Sequence, residues 1–153
     1  MVDYQPARLF TVEQANAMLP LVRSIVADIS ALAGDLLDRQ QRLSHLAEGR
    51  QREVGDPYSD ELAEVQRDLE RDKLRLREYV TELSDLGVEL KDPRRGLIDF
   101  PAKIDGRIVY LCWLLGEPEV LYWHDLESGF AGRQSLAAGA ANGPGAAEDE
   151  QGA

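Results

Sequence analysis

A single cysteine, Cys112, occurs in the 153 residues. An intramolecular disulfide is excluded, and because Cys112 lies in an apolar run the expectation is a buried, reduced thiol in a reducing compartment. Histidine is almost as scarce, with only His45 and His124. The paired histidines one helical turn apart that mark a zinc-protease helix are therefore absent. No glycine-rich phosphate loop, nucleophile elbow or paired-cysteine metal motif occurs either. Positive charge is outnumbered: 17 Lys and Arg stand against 28 Asp and Glu, a formal net charge of -11. Binding to a duplex or an anionic membrane draws on clustered Lys and Arg, so neither partner is expected. No uninterrupted apolar run approaches the roughly 18 residues of a spanning helix, and residues 1–10 lack a basic segment followed by an apolar one. The expectation is a cytoplasmic protein.

What the sequence does contain is periodicity, with 44% hydrophobic residues to build a core. Thr11 and Gln14 have the spacing of a capping box. From there Met18, Val22, Ile25, Ile29, Leu32, Leu36, Leu43 and Leu46 follow alternating steps of four and three, interrupted once at Arg39. That is a heptad seam, with a kink expected at Pro20. After a polar stretch containing Gly49, Gly55, Asp56 and Pro57, Ser59 is the expected cap of a second helix. Its seam is Leu62, Val65, Leu69, Leu76, Tyr79, Leu83 and Leu86, interrupted once at Asp72. Gly87 and Val88 fit a left-handed terminator and its apolar contact. The two seams predict an antiparallel coiled-coil hairpin over residues 11–87 in one register. Leu46 faces Leu62, Leu36 faces Asp72 and Arg39 faces Leu69, so Arg39 and Asp72 fall in adjacent layers and form an ion pair. Extra apolar residues near the base (Leu19, Val26, Ala33, Leu37, Leu74, Val80, Leu90) predict that the rest of the protein packs there. The distal end should project as a bare arm.

Past Asp92-Pro93, the runs Leu97 to Phe100, Arg107 to Leu115 and Glu119 to His124 are rich in Ile, Val, Tyr and Trp and punctuated by Asp105-Gly106 and Gly116-Glu117-Pro118. They predict three short antiparallel strands. The middle run is apolar on both alternating faces, so it must be covered twice: by the helices, and by Asp125 to Leu136 or a second subunit. The fold class is α+β, mainly α: a long hairpin with a small three-stranded module (88–136) at its base, in a single domain over 1–136. Residues 137–153, rich in Ala, Gly and acid, are expected to be a disordered tail.

The densest cluster of functional residue types is His124, Asp125 and Glu127, with Arg133 nearby. A histidine beside carboxylates suits a divalent metal or a general base, and an arginine can clamp a carboxylate or phosphate. The competing reading is structural: His124 and Arg133 satisfy buried carbonyls or acids at a strand end. A second group, Asp99, Arg107, Glu117 and Glu119, flanks the hairpin turns, where paired carboxylates do acid–base work or simply meet a cross-strand arginine. Trp113 and Trp123 suit either ligand stacking or core packing. The run from Arg67 to Lys73 mixes signs, pairing Asp68 with Arg71 and Glu70 with Lys73, as on a solvated helix face. His45 is read as a surface residue.

Phe10-Thr11, Ala15-Asn16, Leu19-Pro20, Gly96-Leu97-Ile98-Asp99-Phe100-Pro101, Tyr110-Leu111-Cys112-Trp113, Gly116-Glu117, Tyr122-Trp123-His124, Gly129-Phe130 and Arg133 occur in an order that resembles the bacterial family called domain of unknown function 2203. The resemblance spans most of Phe10 to Leu136. It implies a bacterial cytoplasmic protein and carries no reaction or catalytic residue with it. Two functions compete: a protein-binding or scaffolding module that uses the hairpin and β module to meet another protein or a second copy of itself, and a metal- or small-anion-binding protein, with hydrolysis as one activity it would suit, with its site around His124.

Overall fold

The computed structural model describes residues 4–48 and 57–137. The loop expected between the helices and, apart from Ala137, the tail expected over 137–153 lie outside the described residues. Thr11 caps the first helix, α1 (Val12–Ala47), with both reciprocal bonds of the box in place: Gln14 N–H donates to Thr11 Oγ1 and Thr11 N–H to Gln14 Oε1, each at 3.0 Å. The helix runs on through Pro20. The second helix, α2 (Pro57–Asp85), starts two residues before Ser59, which therefore lies in its first turn and not at its cap. Proline is favoured there because its φ is already helical and its missing N–H would have had no intrahelical partner. At the other end Gly87 takes φ +90, with Gly87 N–H donating to Ser84 O and Val88 N–H to Leu83 O, while Val88 is buried in the core. This is the terminator the sequence predicts.

The hairpin has two cores. Near the base Val22, Ile25, Val26, Ile29 and Leu83 pack with residues of the sheet, whereas the distal part is held by Leu36, Leu43, Leu62 and Leu69. Within the distal part, between Leu36 and Leu43 on α1, Arg39 donates to Asp72 at 2.5 Å, with Asp35 sharing the guanidinium at 3.1 Å. The expected pair is therefore present. The distal seam is thinner than expected, since Leu46 is 43% exposed and Val65 37%. Only every seventh residue of each helix is buried there, and Leu46, in the last turn of α1, has no further turn to cover it. By length and composition α1 is apolar enough to cross a bilayer, its best 18-residue window having a mean hydropathy of 1.5. In the fold its apolar stripe meets the sheet and α2 near the base and α2 alone farther out.

Five strands follow where three were expected: β1 (Glu89–Asp92), β2 (Leu97–Ile104), β3 (Arg107–Leu114), β4 (Tyr122–Asp125) and β5 (Gln134–Ser135), antiparallel and in sheet order β1-β2-β3-β4-β5. The two extra strands are at the edges and lack β-favouring residues; Glu89, Lys91 and Asp92 are charged and β5 is two residues long. β2 also continues past Phe100, because it pairs with β3 as far as Ile104 opposite Arg107, whereas β1 on its other side pairs only with residues 97–99. At Pro101 that side has no strand beside it among the described residues, and Phe10 N–H donates to Pro101 O at 2.7 Å. Gly96, at φ +71 before β2, lets α1 approach: an added Cβ would lie 2.6 Å from Leu115 Cβ and 3.0 Å from Val26 Cγ1.

Strand alternation divides the sheet chemically. Ile98, Phe100, Ala102, Val109, Leu111 and Trp113 join the helices in the core. The opposite face carries Asp99, Tyr110, Cys112, Tyr122 and His124, related by the pairings Asp99 with Cys112, Cys112 with Tyr122 and Tyr110 with His124. Its cover comes from two short segments. Tyr4 sets its ring edge against Tyr110 at 5.9 Å, and Arg133 lies 3.9 Å over Tyr122 and 4.6 Å over Phe130. The segment after Asp125 was expected in this role; the N-terminal one was not.

Candidate functional site

On this second face three strands bring together groups far apart in sequence. Asp99 of β2, Cys112 of β3 and His124 of β4 each offer a ligand atom, and these atoms lie within 4.8 Å of one another. All three residues are sealed from solvent, at 1%, 0% and 2% exposure. His124 Nδ1 lies 2.7 Å from the backbone oxygen of Asp125. A carbonyl only accepts, so Nδ1 carries a hydrogen and donates it, which turns Nε2 toward the cluster. Nε2 faces both carboxylate oxygens of Asp99, at 3.0 and 3.1 Å. A hydrogen must lie between them, on the ring or on the carboxyl. Burial pushes the Asp99 carboxyl above its ordinary range, partly offset by His124 and by a hydrogen bond from the Cys112 thiol. Burial also pushes the Cys112 thiol up to about 12, helped by the charge of Asp99. A thiol in that state is not a nucleophile. The arrangement is also unlike a nucleophile–base–orienter triad, since the carboxyl sits between the histidine and the cysteine.

A polar belt surrounds the cluster. On the β1 side Glu89, the cross-strand partner of Asp99, accepts hydrogen bonds from Tyr4, from Tyr110 at 2.8 Å and from Lys91 at 3.0 Å. Burial alone would raise the Glu89 carboxyl, but these donors hold it below its usual range. On the β4 side Arg133 Nη2 donates to both carboxylate oxygens of Glu117 at 2.7 Å, and Glu117 also accepts Leu114 N–H at 2.8 Å.

The residues expected around His124 are thus separated. Asp125 points to the other face, because neighbours on a strand alternate, and its carboxylate pairs with Arg107. Glu127 and Glu119 are exposed. Arg133 holds Glu117 and does not join the His124 cluster. Trp113 is fully buried, donates Nε1–H to Glu117 O at 3.1 Å and is not free to stack on a ligand, while Trp123 is half-buried and packs against the core. Asp99 was a secondary candidate, and Cys112 was read only as a buried thiol. The sequence matches the family described as uncharacterized conserved protein (DUF2203) over residues 8–136. The chain belongs to this family. No curated protein and no solved structure matches it. The DUF2203 match takes in all three cluster residues and both covering segments from Arg8 onward, leaving Tyr4 outside it.

Proposed function

We propose that the protein binds a thiophilic divalent metal ion, of the zinc class, at Asp99, Cys112 and His124. The observation that carries this is the convergence of one sulfur, one imidazole nitrogen and one carboxylate oxygen within 4.8 Å on three neighbouring strands. Such a mixed soft set suits zinc, whereas magnesium and calcium require oxygen ligands. The bond from His124 Nδ1 to a backbone carbonyl is the outer contact that commonly fixes a ligating histidine. An ion would also replace the hydrogens that the buried carboxyl and thiol otherwise retain, since ligation takes thiolate and carboxylate. Three protein ligands leave a tetrahedral position for water or substrate. With all three ligand residues sealed from solvent that position is closed off as well, so the reading is one of binding without turnover. The same proposal puts the chain in a reducing compartment such as a bacterial cytoplasm, because ligation needs Cys112 unoxidised.

The test is titration of the untagged, metal-stripped chain with zinc and, separately, magnesium. A single zinc ion per chain, no magnesium, and loss of zinc binding in Asp99→Asn are expected. A wild-type chain that takes up no zinc would overturn the proposal. A second reading, in which the hairpin contacts another protein or a second copy, is supported by the exposed seam residues Leu46 and Val65. Concentration-dependent association in sedimentation, abolished by Val65→Glu, checks it.

A further inference from the structure

We infer that the N-terminal strap, residues 4–10, is the gate of the buried Asp99–Cys112–His124 cluster; the inference rests on the metal-binding reading for its purpose but not for its test. The cluster lies between two covers of unequal hold. On the β4 side Arg133 is fixed by two contacts to Glu117 and by two aromatic faces, Tyr122 and Phe130. On the β1 side the strap is anchored firmly only at Phe10, which is buried, packs edge-on against Phe100 at 5.2 Å and donates its N–H to Pro101. Beyond Phe10, among the described residues, Pro6 is half-buried, Arg8 lies beside Gly87, and the far end is tied by Tyr4. The Tyr4 hydroxyl donates to Glu89 and its ring edge meets Tyr110, while Tyr4 itself is 38% exposed and Gln5, Ala7, Arg8 and Leu9 are exposed too.

Those two points of attachment are the residues that flank the cluster. Glu89 is the cross-strand partner of Asp99, and Tyr110 is the partner of His124, with their rings 5.5 Å apart. Release of Tyr4 takes one of three donors from the Glu89 carboxylate and bares the side of the Tyr110 ring that it met, while Phe10 keeps the strap attached and the core intact. Segments with few buried apolar contacts open most readily, and the strap is such a segment. The gate therefore admits an ion, or the reagent that probes for it, without unfolding the sheet.

Cys112, the sole cysteine, reports on opening directly. In the metal-free full chain, alkylation of Cys112 by iodoacetamide is followed by mass in wild type, Tyr4→Phe, Tyr4→Ala and, as a control at an exposed apolar residue of the segment that follows β4, Leu126→Ala. Alkylation should rise about tenfold in Tyr4→Ala, less in Tyr4→Phe and not at all in the control, at unchanged melting temperature. Zinc uptake and zinc release should both quicken in Tyr4→Ala by the same factor, leaving Kd unchanged, because a gate contributes no ligand. Equal alkylation in wild type and both Tyr4 variants would overturn the gate, as would a rise matched by the control or by a fall in melting temperature. A wild-type chain that binds no zinc, yet whose Cys112 is opened by Tyr4→Ala, would remove the metal reading and leave the strap's motion standing.

Discussion

The distal hairpin and the polar face of the sheet each hold an acid against a basic partner inside an otherwise apolar setting. Arg39 and Asp72 have side chains 23% exposed, lie at the seam edge and are shared with Asp35 and Arg75. Asp99 and His124 are sealed. A partly solvated pair keeps most of its hydration and needs little from its surroundings, so its use is alignment: slipping the hairpin by a heptad would part the two charges and leave each among apolar residues without a partner. A sealed pair loses its hydration and returns little net stability for it. The fold keeps the second pair at some cost, together with a thiol, at a point that a metal ion would satisfy.

The comparison breaks most visibly at the boundary between the two regions. Truncation after Leu90 removes Ile98, Phe100, Leu111 and Trp113, against which the base of the hairpin packs. The fragment should lose cooperative unfolding altogether and aggregate, as read by thermal melting and light scattering. A soluble fragment that melts cooperatively would show that the hairpin does not depend on the module. His124→Ala is expected to have the next largest effect: about 3 kcal/mol lost in chemical denaturation, from a cavity and from a buried carboxyl without its partner. It should abolish zinc binding as well, because a buried ligand serves both stability and chemistry. A loss below 1 kcal/mol would mean that Asp99 finds another partner.

The smallest effect belongs to the Arg39–Asp72 pair. A double-mutant cycle with Arg39→Ala and Asp72→Ala should give a small favourable interaction that shrinks as salt is added. Arg39's hydrogen bond holds the Asp72 carboxyl below its usual range. A depressed carboxyl contributes its stability above the unfolded-state pKa of about 3.9 and loses it as pH falls through the lower folded-state value. The interaction should therefore be intact near neutral pH and vanish in strong acid. A cycle term that is insensitive to salt and acid would assign the pair to packing instead.

The hairpin was legible because its information is local. The capping box at Thr11, the terminator at Gly87 and the heptad steps that place Arg39 beside Asp72 all operate within a few residues or across one repeat. The cluster was not read, although part of its signal was present. Asp105 and Gly106 are both left-handed, at φ 53 and 77, the two-residue turn that sets Ile104 opposite Arg107. Counting outward from that turn puts Asp99 opposite Cys112. Alternation alone also separates Asp125 from His124. What no local pattern supplied was the place of β4, since the β3–β4 loop contains Gly116 and Pro118 and fixes no register by itself. Arg23 Nη2, donating to Pro118 O at 3.1 Å, and Asn16 Oδ1, accepting Val120 N–H at 2.7 Å, seat that loop from α1 about a hundred residues earlier in the chain.

Pro101 gives the open half of β2 a property that matters outside the single chain. Successive residues of a strand direct both main-chain groups to alternate sides, so the side that offers Pro101 O would also have offered its N–H, and proline has none. Phe10 already occupies the oxygen. The next residue directed to that side is Lys103, exposed and charged. A foreign strand approaching there meets an acceptor in use, a missing donor and a cation, so this sheet can leave half an edge without cover and still resist edge-to-edge association.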